Sequence, residues 1–144
     1  MVLGKAAVSK FQTLIDSDAL VGNFYPNDPH HTRAMDIFAR LDRENRSIVT
    51  TNLVVMEVAT VLSHRSGQAL AVRFLDMLER SQLPVIHLDE ALQKKALATF
   101  RAQTARGTSV TDCANVVVMQ HFNIPEIFSF DRVYAKDFQL KMAA

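Results

Sequence analysis

Apolar residues recur along the chain at two spacings, and the alternation between them lays out the elements. Residues 11–15 (FQTLI) are a short run rich in β-formers that stops at Asp16 and reads as a strand. Over 29–45 the apolar positions Ala34, Ile37, Phe38 and Leu41 return at helical spacing with charges between them. Pro29 suits a first helical turn there and Asp28 an N-cap. A second strand is predicted at 47–50 (SIVT), two helices at 53–63 and 69–80 separated by Ser66-Gly67, and a third strand at 84–88 (PVIHL). A helix over 90–104 carries Leu92, Ala96, Leu97 and Phe100 on one face; a loop at 106–109 leads to another helix over 111–122. A turn at 123–125, a fourth strand at 127–130 (IFSF) and a short helix at 132–138 complete the pattern. Strands alternating with helices predict an α/β domain with a mostly parallel sheet.

Composition narrows this picture. The 144 residues suit one domain, and a chain of that size buries about 68–70% of its unfolded surface without needing disulfides. With 49% hydrophobic residues and a net charge of +1, disorder is disfavoured. Cys113, the single cysteine, permits neither an internal bridge nor a zinc cluster, and a lone thiol fits a reducing, cytoplasmic setting. The opening MVLGKAAVSK has no apolar core of a secretory signal, so residues 1–10 read as a tail or tag remnant and 11–144 as the domain. The longest apolar run, 116–119, falls far short of the ~20 residues of a membrane span. Near-neutrality excludes a broadly basic nucleic-acid coat.

The informative residues are acids in places that disfavour acids. Asp16 and Asp131 each follow a strand directly, where ligands of open α/β sheets bind; each also suits the cap of the next helix. Glu57 lies in LVVMEVATVL, a helix otherwise nearly all apolar, and with Asn52 as N-cap it stands beyond the capping-box position. Buried there, it needs a cationic partner. Asp112 opens the apolar helix TDCANVVVMQHF, and Ser109-x-x-Asp112 forms a modified capping box that leaves the carboxylate free to point towards a strand end. Two carboxylates ~4 Å apart repel by about 4 kcal/mol at an effective dielectric of 20, so a cluster of these acids requires a cation. All-oxygen ligation selects Mg²⁺ or Mn²⁺, ions suited to phosphoryl chemistry.

The order Asp16-Ser17-Asp18-Ala19-Leu20, Thr51-x5-Glu57-Val58, Thr111-Asp112-Cys113-Ala114 and Ser129-Phe130-Asp131 resembles the PIN-domain nucleases, most of all the small VapC-type toxins of toxin–antitoxin pairs. The similarity spans residues 12–138. It implies a single three-layer PIN-like α/β domain, with a central parallel sheet of four to five strands flanked by helices. It also implies an acidic pocket holding one or two Mg²⁺ or Mn²⁺ ions, in which Asp16, Glu57, Asp112 and Asp131 fall on the family's acidic positions. Ser129 falls on the small hydroxyl residue that supports the last acid. The implied activity is endonucleolytic hydrolysis of RNA phosphodiesters by activated water, leaving a 5′-phosphate. The implied partners are RNA, a small cognate antitoxin and a second copy of the chain in a homodimer. Asp18 departs from the family, which usually has Ser or Thr two residues after the first acid. It is open to binding a metal through water or to capping a helix that begins at Ala19-Leu20-Val21.

Two other readings compete: a PIN fold kept as a catalytically weak RNA- or protein-binding module, and a phosphatase resembling the haloacid dehalogenases. The latter shares Asp16-x-Asp18 but has Leu20 where Thr or Val is usual. His30-His31 diverge by about 100° on a helix and chelate poorly, so they read as surface residues. Phe24-Tyr25 reads as packing rather than base stacking, and Cys113 as a small buried residue. Asp36–Arg40 and Asp42–Arg46 are i,i+4 pairs, which assigns Arg33, Arg40, Arg43 and Arg46 to a solvated face. Arg65, Arg73, Lys94, Lys95, Arg101 and Arg106 are then the better candidates for phosphate contacts. Setting aside the four acids leaves 11 against 16 bases, a +5 surround compatible with a phosphate backbone.

Overall fold

The structure, a computed structural model, describes residues 10–104 and 106–144. Of the tail expected over 1–10, only Lys10 lies among them. Alternating strands and helices run β1 (Thr13–Ile15), α1 (Ser17–Phe24), α2 (His31–Arg43), β2 (Ile48–Thr51), α3 (Asn52–Ser66), α4 (Gln68–Ser81), β3 (Val85–Ile86), α5 (Glu90–Arg101), α6 (Val110–Phe122), β4 (Glu126–Phe128), α7 (Val133–Phe138) and β5 (Lys141–Met142). All strand pairings are parallel, in the order β3-β2-β1-β4-β5. This is the α/β domain that the periodicity predicts. The two-residue β5 is an addition, too short to leave a pattern in sequence.

Alternation along the strands sorts the core into two sides. Ile15, Ile48, Phe128 and Ala143 pack with residues of α1–α4, whereas Leu14, Val49, Ile127 and Met142 pack with α6 and α7. Alanine and leucine from α5 (Ala96, Leu92) pack on Ala114 and Val117 of α6. Sheet and helices thus form three layers, each strand residue committed to one face by the period of two. The chain walks from β1 out to β3, then crosses to the other side of β1 for β4 and β5. The reversal lies between β1 and β4, where the carboxyl ends of neighbouring parallel strands diverge and leave a crevice.

Local details depart from the sequence expectations where a charge finds a stronger partner. Helix α2 starts at His31 rather than 29, with His30 as its N-cap and no side-chain cap. Asp28 instead accepts from the His30 amide at 2.8 Å and binds the Arg65 guanidinium at 2.6 Å. Burial pushes the Asp28 carboxyl up, but Arg65 and the His30 amide outweigh it and hold the group below its ordinary value. The expected Asp36–Arg40 and Asp42–Arg46 pairs do not form among the described residues. Arg40 reaches Glu44 at 4.0 Å and donates to the Ala143 carbonyl at 2.6 Å, and Arg46 turns to Glu126 at 2.9 Å.

Glu126 explains how a charged residue opens a central strand. It is buried, accepts from Thr13 Oγ1 at 2.7 Å, and faces Arg46 at 2.9 Å and Lys141 at 3.7 Å. Thr13, Glu126 and Lys141 stand in register as the first residues of β1, β4 and β5. The cluster therefore pins the amino ends of three strands and leaves their carboxyl ends for other work. Removing one partner of such a pair strands the other, so Glu126→Ala is expected to cost about 3 kcal/mol in urea unfolding. Glu90→Ala, which breaks the exposed Glu90–Lys94 pair, is expected to change stability by less than about 0.5 kcal/mol.

Candidate active site

Strand β1 ends at Ile15, and the Asp16 amide extends its ladder by donating to the Phe128 carbonyl at 3.0 Å. The Asp16 carboxylate caps α1, accepting from the Ser17 amide at 2.8 Å. Helix α1 therefore starts at Ser17, and the capping role weighed for Asp18 belongs to Asp16. Asp18 sits in the first turn of α1 and reaches across to the segment after β4. There it accepts from the Phe130 amide at 2.9 Å and from Ser129 Oγ at 3.2 Å.

On the other side of the crevice, Ser109 caps α6 in the expected capping box. Ser109 Oγ accepts from the Asp112 amide at 3.0 Å and Asp112 Oδ2 accepts from the Ser109 amide at 2.9 Å. The second carboxylate oxygen, Oδ1, remains for the site and lies 3.0 Å from the Tyr134 hydroxyl. That hydroxyl is also 2.9 Å from Asp16 Oδ2, and Ser129 Oγ is 2.9 Å from the same oxygen. Asn115 Nδ2 donates to Asp16 Oδ1 and to the Tyr134 oxygen, both at 3.0 Å.

These contacts form a line, Asp18–Ser129–Asp16–Tyr134–Asp112, in which each hydroxyl lies between two carboxylates. A hydroxyl has one proton to donate. Four carboxylate contacts are thus served by two hydroxyl protons, and no Lys or Arg pairs with these acids among the described residues. Asp18 Oδ1 and Asn115 Oδ1 are buried with no hydrogen-bond partner. The site is therefore short of positive charge.

The titration of the acids reports the same shortage. Burial, opposed by the Ser17, Ser129 and Tyr134 bonds and reinforced by Asp112, raises Asp16 to about 6. Burial and the neighbouring Asp16 charge raise Asp18 to about 7. Burial and the same two carboxylates, Asp16 and Asp112, push the Tyr134 hydroxyl well above its ordinary value, so it stays a donor. Cys113 is buried, and its thiol is raised by burial and by Asp112, as befits a packed residue rather than a nucleophile.

The carboxylates of the remaining candidates make no hydrogen bond to this line among the described residues. Glu57 is half-buried on α3, whose N-cap is Thr51 rather than Asn52, and it faces a cavity of about 170 Å³ that Asp18 and Arg65 also line. It has no hydrogen bond or ion pair among the described residues. Asp131 is exposed; its amide donates to Ser129 Oγ at 3.1 Å and its carboxylate accepts from the Val133 amide at 3.0 Å, leading into α7. Among the described residues, no three His, Cys, Asp or Glu side chains are arranged to hold a metal ion as they stand. The donor chemistry nonetheless fits a hard divalent cation: oxygen atoms only, carboxylates in surplus, and two orphaned buried oxygens.

Sequence reasoning missed Tyr134 and Asn115. Asn115 had a signal, since it is polar, lies within an apolar helix and stands one turn beyond Asp112. Tyr134 had none, because its hydroxyl reaches the site only through the docking of α7. The two histidines are less idle than expected: His30 stacks on Phe130 with centroids 4.2 Å apart and planes at 6°, and His31 Nδ1 is 2.7 Å from the Gly22 carbonyl. Phe24 packs edge-on against Phe74, as anticipated, and Arg65 lies over the Tyr25 ring.

Raised acids give the metal-free protein a definite pH dependence. With folded-state values near 6 and 7 against about 4 unfolded, the folded chain binds more protons across that window, so stability falls as pH rises through it. Urea unfolding of chelator-treated protein is expected to show at least about 1.4 kcal/mol lost between about pH 5 and about pH 7.5, one pKa unit's worth. Asp18→Asn is expected to flatten that fall; an unchanged profile in the variant would show that Asp18 is not the titrating group.

A family model, PIN domain, matches residues 13–137. Among curated proteins none matches this chain. Among solved structures, the fold is similar to that of VapC20 from Mycobacterium tuberculosis, described as a toxin that cleaves the sarcin–ricin loop. The likeness has a TM-score of 0.78 at 20% sequence identity, and covers 88% of this chain and 95% of that one. With the family model covering most of its length, the chain belongs to the PIN-domain family.

Proposed function

We propose that this protein is a Mg²⁺- or Mn²⁺-dependent endoribonuclease and the toxin of a VapBC-type pair, restrained by a small antitoxin and acting in the cytoplasm as a homodimer. The observation that carries the reading is the line of buried carboxylates joined by hydroxyls with too few protons and, among the described residues, no Lys or Arg partner. It sits in the crevice between β1 and β4, where this sheet topology offers a ligand site. Family membership supports phosphodiester chemistry, and the fold likeness to an RNA-cleaving toxin supports RNA as the substrate class.

Asp16 and Asp112 would hold the ion, with Glu57 and Asp131 completing the set from α3 and the β4–α7 segment. A bound divalent ion neutralises phosphoryl oxygens and lowers the pKa of water. The chain's own residues do the positioning. Ser129 and Tyr134 fix the Asp16 oxygens from two sides, and the capping box holds Asp112 by one oxygen while presenting the other. Asn115 orients both Asp16 and Tyr134. Any of the acids left unprotonated can accept a proton from attacking water.

Cleavage of labelled single-stranded RNA with Mn²⁺, followed on denaturing gels, tests this. Asp16→Asn and Asp112→Asn are each expected to slow cleavage about 100-fold or more, comparable to losing a principal electrostatic group in other active sites. Tyr134→Phe, which keeps the ring and removes the bridging hydroxyl, is expected to weaken the apparent Mn²⁺ affinity about tenfold. Cleavage at the wild-type rate by Asp16→Asn would refute the site. Wild-type protein that binds RNA without cutting it would favour the binding-module alternative.

A further inference from the structure

A cavity of about 930 Å³ opens beside Ser129, which stands between Asp18 and Asp16 in the acid line, and the nuclease site does not explain the rest of its lining. Its charged side chains are those of Arg33 from α2, Arg132 from the turn before α7, and Lys136 from α7, with no acidic side chain among the lining residues. All three are exposed, and none has a side-chain hydrogen bond or ion pair among the described residues. The other bases with acid neighbours are spent: Arg40, Arg46, Arg65, Lys94 and Lys141 all pair with carboxylates. Three unneutralised cations around one concavity repel one another and focus a positive potential into it. Guanidinium forks and an ammonium group together suit phosphate oxygens.

Two further features tie this cavity to a nucleic acid strand. The His30 ring lies flat on Phe130, and both line the cavity. The Phe130 amide is held by Asp18, so the stack is fixed to the acid line by a hydrogen bond of 2.9 Å. A flat ring platform beside a cluster of cations is the combination that single strands use, since an unpaired base has a free face to stack.

We propose that this cavity seats the phosphodiester backbone of a single-stranded RNA next to the bond presented to the acids, with the His30–Phe130 stack taking an adjoining base. The inference rests on the nuclease reading for its choice of polyanion. It moves the phosphate contacts from Arg65, Arg73, Lys94, Lys95, Arg101 and Arg106, favoured by local sequence, to Arg33, Arg132 and Lys136; Arg65 and Lys94 pair with Asp28 and Glu90 instead.

The test is fluorescence anisotropy of a labelled single-stranded RNA oligonucleotide with the full chain in chelator, where no cleavage occurs, over a series of salt concentrations. The triple variant Arg33→Ala/Arg132→Ala/Lys136→Ala is expected to bind about tenfold or more weakly, with the log–log salt slope reduced by about 2. Arg73→Ala/Lys95→Ala is expected to match wild type. His30→Ala is expected to weaken binding about fivefold or more at an unchanged slope. All of these substitutions are at exposed positions, and circular dichroism confirms folding. Unchanged affinity and slope in the triple variant overturn the proposal. So does loss of poly-glutamate binding with RNA binding intact, which would mark a site for acidic peptides. Mn²⁺-dependent cleavage separates the two readings. A wild type that never cleaves, with RNA binding lost in the triple variant, refutes the nuclease and keeps the seat. A wild type that cleaves, with KM unchanged in the triple variant, refutes the seat and keeps the nuclease.

Discussion

Two hydroxyl protons serve four carboxylate contacts along Asp18–Ser129–Asp16–Tyr134–Asp112, and much of the site follows from that shortage. Buried acids in such a line have two ways to relieve it: take up protons, or bind a cation. The first is visible in the raised values of Asp16 and Asp18. The second is the route the proposed function assigns, and Asp18 Oδ1 and Asn115 Oδ1 are buried without a hydrogen-bond partner. A purely structural network would favour equal numbers of donors and acceptors, because each unsatisfied buried group costs about 1–3 kcal/mol. The excess of acceptors is a standing cost that a divalent cation would offset.

The fold concentrates this cost at one place and secures the rest. At the amino ends of β1, β4 and β5, Glu126 has Thr13, Arg46 and Lys141 around it, so charge there is balanced. At the carboxyl ends of β1 and β4, the side chains that meet among the described residues are acids, hydroxyls and an amide. The difference between the two ends of one sheet is one of partners, since both carry buried carboxylates. Helix capping contributes on the ligand side: Asp16 caps α1 with one oxygen and Asp112 caps α6 with one, so each keeps another for the site. The same two residues therefore stabilise their helices and, in the proposed function, would supply the chemistry.

Much of this was legible in sequence, for identifiable reasons. The sheet and its helices follow from spacing, because strand and helix periods differ and the core faces are nearly pure. The acids at 16 and 112 stood out as charges at the head of apolar elements, and Ser109 announced its capping box three residues ahead of Asp112. What sequence could not convey was partner choice over distance. Arg46 has Asp42 one turn away and chooses Glu126 across the fold, where burial strengthens the interaction. Arg33 was assigned to a solvated face because charges surround it in sequence, yet it borders a cavity with no acidic side chain in its lining. Tyr134 depends on the docking of a six-residue helix, which no local pattern encodes. Local sequence leaves Asp18 open between capping a helix and binding a metal through water, whereas its partners are Ser129 and Phe130, over a hundred residues away.

The shortage of positive charge is most directly probed by calorimetric titration of the chelator-treated protein with Mn²⁺ near pH 6.5, in two buffers of different ionisation enthalpy. If the acid line is a cation site that holds protons in the ion's absence, Mn²⁺ will bind and release protons, so the measured heat will change with buffer. Asp16→Asn will then bind weakly and release fewer. Absence of binding, or binding whose heat is the same in both buffers and in the variant, would contradict the account.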